Sequence, residues 1–290
     1  MRTLIAGASG LIGSKVAGYL ESQGHVVVRL VRRTPGAGEV LWDPVAGTID
    51  GPGLEGLDYV VHLASMPWPV RWTSGFKKQI RANRLGTNRL LAETLAARAR
   101  KPSVLVCASG MGIYPPSGEQ ILTEESPTGA SFLANLQRDG EAATLPASKM
   151  GVRVVHLRIP PVLHAAAIQR GTSRIGDGRQ WMSWVGLDEM ASIIEFALTT
   201  EVLQGPVNPV SPTPMRNADF ATAVSQALGK EPGGSMPAFL VRLLMGEMGE
   251  ELMLASRRIQ PAKLLAAGYQ FRFPELGQAV QHEMGTLIAS

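Results

Sequence analysis

Short β-branched runs alternate along the chain with longer stretches of helical period. Residues 3–6, 26–31, 59–63, 103–108 and 152–157 are apolar runs of strand length. Between them, 11–23, 87–98 and 132–148 carry apolar positions at helical spacing. Buried strands that alternate with helices predict a parallel sheet covered on both faces, because each crossover lays a helix on the sheet. The expected fold is α/β, a Rossmann-type doubly wound parallel sheet. Near residue 205 the texture changes. Pro206, Pro209, Pro212 and Pro214 crowd one short span, and helical patterns follow over 217–228, 238–251 and 274–288. Two parts are therefore expected: residues 1–204 as the Rossmann domain with part of a cleft, and 205–290 as a small, mostly helical C-terminal lobe.

The first strand run leads directly into Gly7-Ala8-Ser9-Gly10-Leu11-Ile12-Gly13, which opens the first helix. This G-x-x-G-x-x-G spacing serves three needs of a dinucleotide site: a tight turn, close approach of a pyrophosphate to the backbone, and close packing of helix on strand. The helix N-terminus then offers free N–H groups and partial positive charge to phosphates. Gly7, Ser9, Gly10, Leu11, Ile12 and Gly13 are the candidate contacts. The second strand run ends in Val31-Arg32-Arg33 with no carboxylate to accept ribose hydroxyls. Two guanidinium groups at that point suit a 2′-phosphate, so Arg32 and Arg33 favour NADP(H) over NAD(H) as cofactor.

Composition narrows the partners. The 290 residues are 45% hydrophobic, an ordinary globular value that permits a sizeable core. The net charge of +4 comes from scattered basic residues without the dense stripe of a nucleic-acid binder, so no nucleic acid is expected. Cys107 is the single cysteine and lies in an apolar run, which excludes an intramolecular disulfide and predicts a buried strand thiol. The histidines lack metal-ligand spacing, so no metal is expected. No apolar stretch reaches the roughly 20 residues of a membrane helix, and no hydrophobic leader is visible, so a cytoplasmic protein without membrane partner is expected.

The glycine loop, His62-Leu63-Ala64 after the third strand run, and Asn83-x-x-Gly86-Thr87 on the next helix together resemble the extended, atypical short-chain dehydrogenase/reductases. Other segments resemble one branch, the "epimerase family" proteins often described as nucleoside-diphosphate-sugar epimerases or cell-division inhibitors. These segments are Trp42-Asp43-Pro44, Arg71-Trp72-Thr73, Phe132-Leu133-Ala134, Gly178-Arg179-Gln180-Trp181, Gly205-Pro206-Val207-Asn208, Leu244-Met245-Gly246-Glu247 and Gly268-Tyr269-Gln270-Phe271. The resemblance covers nearly the whole chain. It implies that Leu63, Ala64 and Ser65 pass under the adenosine side, that Asn83 and Ala108 belong to the cofactor site, and that Pro160, Pro161 and Val162 flank the nicotinamide. It also implies a small-molecule substrate faced by Ser109, and it allows a homodimer.

The chain departs from that pattern where chemistry is done. Conventional members carry a Tyr-x-x-x-Lys pair one helical turn apart, in which the lysine lowers the tyrosine pKa so that tyrosine can shuttle a proton. Tyr19, Tyr59, Tyr114 and Tyr269 are followed four residues later by Gln23, Leu63, Gly118 and Phe273, so none forms the pair. The matching positions hold Gln137 and Glu141. The candidates that remain are Ser109 as a hydrogen-bond donor, Glu141 as a base and Tyr114 as a substitute acid. After Leu163 the branch's long glycine-rich loop is shortened, and Gly186 stands where the branch carries histidine. Trp68, Trp72, Trp181 and Trp184 are divided between core and pocket wall. Three readings follow: an NADP(H)-dependent oxidoreductase or epimerase-like enzyme, an NADP(H)-binding sensor that acts through a partner, or a non-redox biosynthetic enzyme that reuses the pocket.

Overall fold

All five strand runs read from the sequence join one sheet, as β1 (Arg2–Ala6), β2 (Val26–Val31), β5 (Tyr59–His62), β6 (Val104–Gly110) and β7 (Arg153–Ile159). Three strands with weaker signals complete it: β3 (Glu39–Asp43), β4 (Thr48–Ile49) and β8 (Gly205–Val207). The computed structural model describes residues 1–69 and 71–288; Val70 and the last two residues of the expected lobe, 289 and 290, lie outside the described residues. The strand order is β8-β7-β6-β5-β1-β2-β3-β4, parallel throughout except for the β3–β4 edge hairpin. Because β8 pairs in parallel with β7, the sheet continues past residue 204 into the proline-rich span.

Strand alternation sorts the core into two layers. Leu4, Ala6, Val60, Leu105 and Cys107 face one side, where α2 (Ser74–Ala96) covers them with Leu91, Ala92 and Leu95. Ile5, Val61, Val104 and Val106 face the other, under α1 (Leu11–Ser22) and α4 (Leu187–Thr199). Each fully buried Val, Leu or Ile contributes roughly 1.5–3 kcal/mol by leaving water, so the two layers carry most of the fold. Cys107 sits in the first layer, and burial pushes its thiol up to about 12. It is a core residue, not a nucleophile.

Several elements differ from their sequence signals for local reasons. α2 starts at Ser74, well before residue 87, because Thr73 caps it by accepting from the Phe76 N–H at 3.1 Å. Its first turns are mostly polar, with Phe76 and Ile80 as their large apolar positions, too few to stand out as a period. The expected helix over 132–148 divides into α3 (Phe132–Ala142) and a short helix, Leu145–Lys149. Pro146 in the first turn of the second piece has no N–H to continue the first. The stretch 238–251 breaks after Ala238–Met245, where Gly246 takes a positive φ of 57°. Behind the sheet's carboxyl edge, the helices Asn217–Ala227 and Leu276–Ile288 pack through Phe220, Val224, Leu276 and Val280.

The chain leaves β1 for β2 and β3, then returns to place β5 on β1's other side, with Ala6 opposite His62. The direction of winding reverses between β1 and β5. Loops beyond the carboxyl ends diverge there and leave a crevice, the usual place for a ligand on an open α/β sheet.

Candidate functional site

Two cavities occupy that crevice and share Gly7, Gly10, Leu63 and Ser65 as their common wall. The outer one, about 810 Å³, is bounded by Ser9, Arg32, Arg33, Glu39, Ala64 and Asn83. The inner one, about 500 Å³, is bounded by Leu11, Ile12, Gly13, Ala108, Ser109, Pro160, Pro161 and Val162, with Arg84 and Gln137. The residues that the sequence assigned to a cofactor thus line one cavity or the other.

Backbone geometry explains the glycines. Gly7 has φ of 86°, and a Cβ there would stand 2.7 Å from the Ala64 nitrogen, so the β1 and β5 loops could not approach. At Gly13 a Cβ would stand 2.0 Å from the Gly7 carbonyl oxygen, so only glycine lets α1 pack on the loop. Gly10 differs. A Cβ there would meet only the Gly7 oxygen at 3.4 Å, an ordinary contact, so the fold itself does not demand glycine. Gly10 is the N-cap of α1 and supplies no side-chain cap, and no acidic residue lies in the first turn. The first N–H groups of α1 are left for an outside acceptor. The loop therefore fits a dinucleotide's pyrophosphate.

The outer cavity treats its two arginines unequally. Arg33 donates to both Glu39 carboxylate oxygens, at 2.7 and 2.6 Å. Arg33 and the Gly36 N–H together hold the Glu39 carboxyl below the usual range. Arg32 has no ion pair or hydrogen bond among the described residues, so its donors remain open. The sequence showed no carboxylate at the end of β2; the structure supplies one from β3, already neutralised by Arg33.

The inner cavity is walled by Leu11, Ile12, Leu63, Met111, Leu133, Ile159 and the Pro160–Pro161 pair, with Trp68 and Leu252 at its edge. Trp72 packs against Trp68 with tilted rings, centroids 5.2 Å apart, whereas Trp184 is core and Trp181 packs under Arg216 and Arg258. The short segment after Leu163 folds as a helix, Ala165–Arg170. Gln137 projects from α3 beside Gly110, and its Oε1 is buried without a hydrogen bond.

Behind this wall lies a buried polar chain. Ser109 donates to Glu141 Oε1 at 2.7 Å. Arg158 grips both Glu141 oxygens at 3.1 Å, and its Nη1 donates to the Tyr114 oxygen at 2.8 Å. Tyr114 in turn donates to Asn208 Oδ1 at 2.8 Å. Burial works against the Arg158 charge, but the Glu141 and Tyr114 contacts outweigh it and raise its pKa. Three consequences correct the chemistry expected of these residues. Ser109 lines the inner cavity, but its single proton goes to Glu141, so it shows the cavity lone pairs and acts as an acceptor. Glu141 lines neither cavity and is ion-paired. Tyr114 is fully buried away from both cavities, and burial raises its pKa, which leaves it a structural hydroxyl.

His62, at the carboxyl end of β5, is buried with neither ring nitrogen in a hydrogen bond. Burial first, and the nearby Arg84 charge second, lower its pKa from 6.5 to about 4. The native state keeps the ring neutral while the unfolded chain protonates it below 6.5. Its stability contribution is therefore full above pH 6.5 and lost as pH falls towards 4. The shift corresponds to a loss on the order of 3 kcal/mol. Urea unfolding at pH 7 and pH 4.5 should show this drop in the wild type and a smaller one in His62→Leu; equal drops would exclude the ring as its source.

The sequence reading did not single out Arg84, Arg158, Glu39 or Leu252. Arg84 is one of several cations on the polar part of α2, and Leu252 comes from the distant C-terminal lobe, so neither carries a local pattern.

Fold and site define a doubly wound α/β protein of the extended short-chain dehydrogenase/reductase build, with a dinucleotide-type crevice at its switch point. Residues 3–135 match the NAD dependent epimerase/dehydratase family, and residues 236–283 match the Domain of unknown function (DUF1731). "Epimerase family protein ML0860" of Mycobacterium leprae is 36% identical over 290 aligned residues, spanning 96% of this chain and 94% of the relative. "Epimerase family protein SDR39U1" of Homo sapiens is 33% identical, spanning 97% and 99%. A crystal structure of the human protein (isoform 2) with NADPH superposes with a TM-score of 0.89 at 31% identity, covering 98% of this chain and 99% of that one. The chain belongs to this epimerase family. No helix of the described residues is long and apolar enough to cross a membrane, and no group of His, Cys, Asp or Glu among them could hold a metal ion.

Proposed function

We propose that the chain binds NADP(H) across the two joined cavities and acts as an oxidoreductase-type protein on a small molecule. The observation that carries this reading is Arg32, an arginine without an acidic partner beside a cavity that continues over a glycine loop into an apolar chamber. The human relative's complex with NADPH supports the same choice. Gly7 to Gly13 would hold the pyrophosphate, Arg32 the 2′-phosphate, Ala64 and Asn83 the adenosine side, and Pro160 to Val162 the nicotinamide side. Bound there, the nicotinamide would supply a hydride donor or acceptor. The apolar walls exclude water from that end. Ser109 accepts a hydrogen bond from whatever lies opposite, because its own proton is held by Glu141.

A second reading is favoured by one observation: among the described residues, Arg84 is the sole ionisable side chain lining the inner cavity, so no side chain there donates a proton near neutral pH. An NADP(H)-binding sensor that acts through a partner needs none. Oxidation of bound NADPH by any small carbonyl compound would decide for the enzyme.

The cofactor reading is tested by titrating the protein and its Arg32→Ala variant with NADPH and NADH. Loss of a charged hydrogen bond to phosphate should weaken NADPH by roughly tenfold to a hundredfold and leave NADH unchanged. Equal NADPH affinity in both proteins would remove Arg32 from the site.

A further inference from the structure

Arg84 carries a positive charge into a chamber that offers no counter-charge. It rises from α2 to line the inner cavity, where its Nη1 donates to the Ala108 carbonyl at 2.9 Å. Its Nε is buried and makes no hydrogen bond. No carboxylate forms an ion pair with it among the described residues. The carboxylate next in line, Glu141, is taken up by Arg158 and Ser109. Arg158 and Glu141 cancel each other, so the guanidinium of Arg84 is the net charge at this end of the crevice. A half-buried cation without an acidic partner is costly, and an anion that enters beside it offsets that cost. Burial already lowers the Arg84 pKa, which is the same cost seen from the proton's side.

The surroundings limit what that anion can be. Met111, Leu133, Ile159, Pro161 and Leu252 make most of the wall apolar. Besides Arg84, the polar groups on side chains in it are the Ser65 and Ser109 hydroxyls, the Gln137 amide and the Trp68 indole N–H. Ser109 shows its lone pairs to the cavity, so one neighbouring donor on the ligand could be met. A sugar diphosphate brings many hydroxyls and at least two charges, which this wall could not satisfy. The chamber of about 500 Å³ must also hold the nicotinamide end of the cofactor, which leaves space for a small molecule only.

We propose that Arg84 holds the anionic group of a small, largely apolar substrate, such as a carboxylate, in the inner cavity. The position of the substrate beside the nicotinamide rests on the NADP(H) reading; the anion site itself does not. Arg84 is thus a substrate-binding residue that no tyrosine–lysine motif would reveal.

The test uses the full-length protein, its Arg84→Met variant and its Arg84→Lys variant. NADPH affinity and thermal stability are measured first for each. The NADPH complexes are then titrated by calorimetry with benzoate and hexanoate, with their neutral isosteres benzamide and hexanamide, and with UDP-glucose. The wild type should bind at least one carboxylate about tenfold or more tightly than its amide, as a charged hydrogen bond implies. Arg84→Met should abolish that preference, Arg84→Lys should keep part of it, and both should retain NADPH affinity. The proposal is overturned if carboxylates and amides bind alike, or if UDP-glucose binds and the carboxylates do not. It is also overturned if Arg84→Met loses NADPH affinity to the extent it loses the carboxylate, which would give Arg84 to the cofactor. Should the wild type bind no NADPH, the cofactor reading fails on its own, and the same titrations on the free protein still decide the anion site.

Discussion

Gly10→Ala should fold normally and lose NADPH by roughly a hundredfold or more, about 2.7 kcal/mol. The two halves of this result have separate causes. Inside the protein the new methyl meets only the Gly7 carbonyl oxygen, at 3.4 Å, so no protein atom has to move. On the open side it stands over the N-terminus of α1, where a pyrophosphate must come close to the backbone. The thermal unfolding midpoint should therefore stay near that of the wild type while the nucleotide titration collapses. Gly13→Ala supplies the contrast. Its methyl would stand 2.0 Å from the Gly7 oxygen, so it should lower both stability and affinity. If Gly10→Ala bound NADPH like the wild type, the pyrophosphate would not lie on this loop.

The second large effect concerns the polar chain behind the inner cavity. Arg158 and Glu141 side chains are 6% and 13% exposed, so their ion pair is screened little by water. Glu141→Leu leaves the Arg158 guanidinium buried with Tyr114 and the Glu124 carbonyl as its contacts. Removal of one partner of a buried pair costs about 3–5 kcal/mol, because the other charge stays desolvated. Arg158→Leu should cost a similar amount, since Glu141 would then keep only Ser109. The double variant should cost clearly less than the sum, because the second deletion removes the charge that the first one orphaned. Urea unfolding of the four proteins measures the coupling. Additive losses, or single losses below about 1 kcal/mol, would show that the pair is solvated and does not brace the cavity wall.

The sheet was legible because a doubly wound fold writes itself as alternating apolar strands and amphipathic helices, and the glycine loop marks where β1 turns into α1. β3 and β8 were not, since Glu39–Asp43 is half exposed and Gly205–Val207 is an edge strand whose neighbours are prolines. The outer cavity was readable as far as Arg32 and Arg33, for both follow β2 directly. Their different states were not, because Glu39 reaches Arg33 only through the pairing of β3 with β2. The lack of a Tyr-x-x-x-Lys pair was legible in the sequence, and Gln137 and Glu141 lie four residues apart on α3, where the resemblance sets the pair. Their surroundings lay beyond the sequence: Glu141 turns to Arg158 on β7, Ser109 donates its hydrogen bond to Glu141, and Arg84 from α2 lines the cavity.

On the reading proposed above, one NADP(H) lies across both cavities with its nicotinamide in the apolar chamber. Titration of the wild-type protein into NADPH, followed by nicotinamide fluorescence, tests this most directly. The expected result is saturation at one nucleotide per chain, with brighter, blue-shifted nicotinamide emission as the ring leaves water. Absence of saturable binding, or binding that leaves the nicotinamide emission as it is in water, would contradict it.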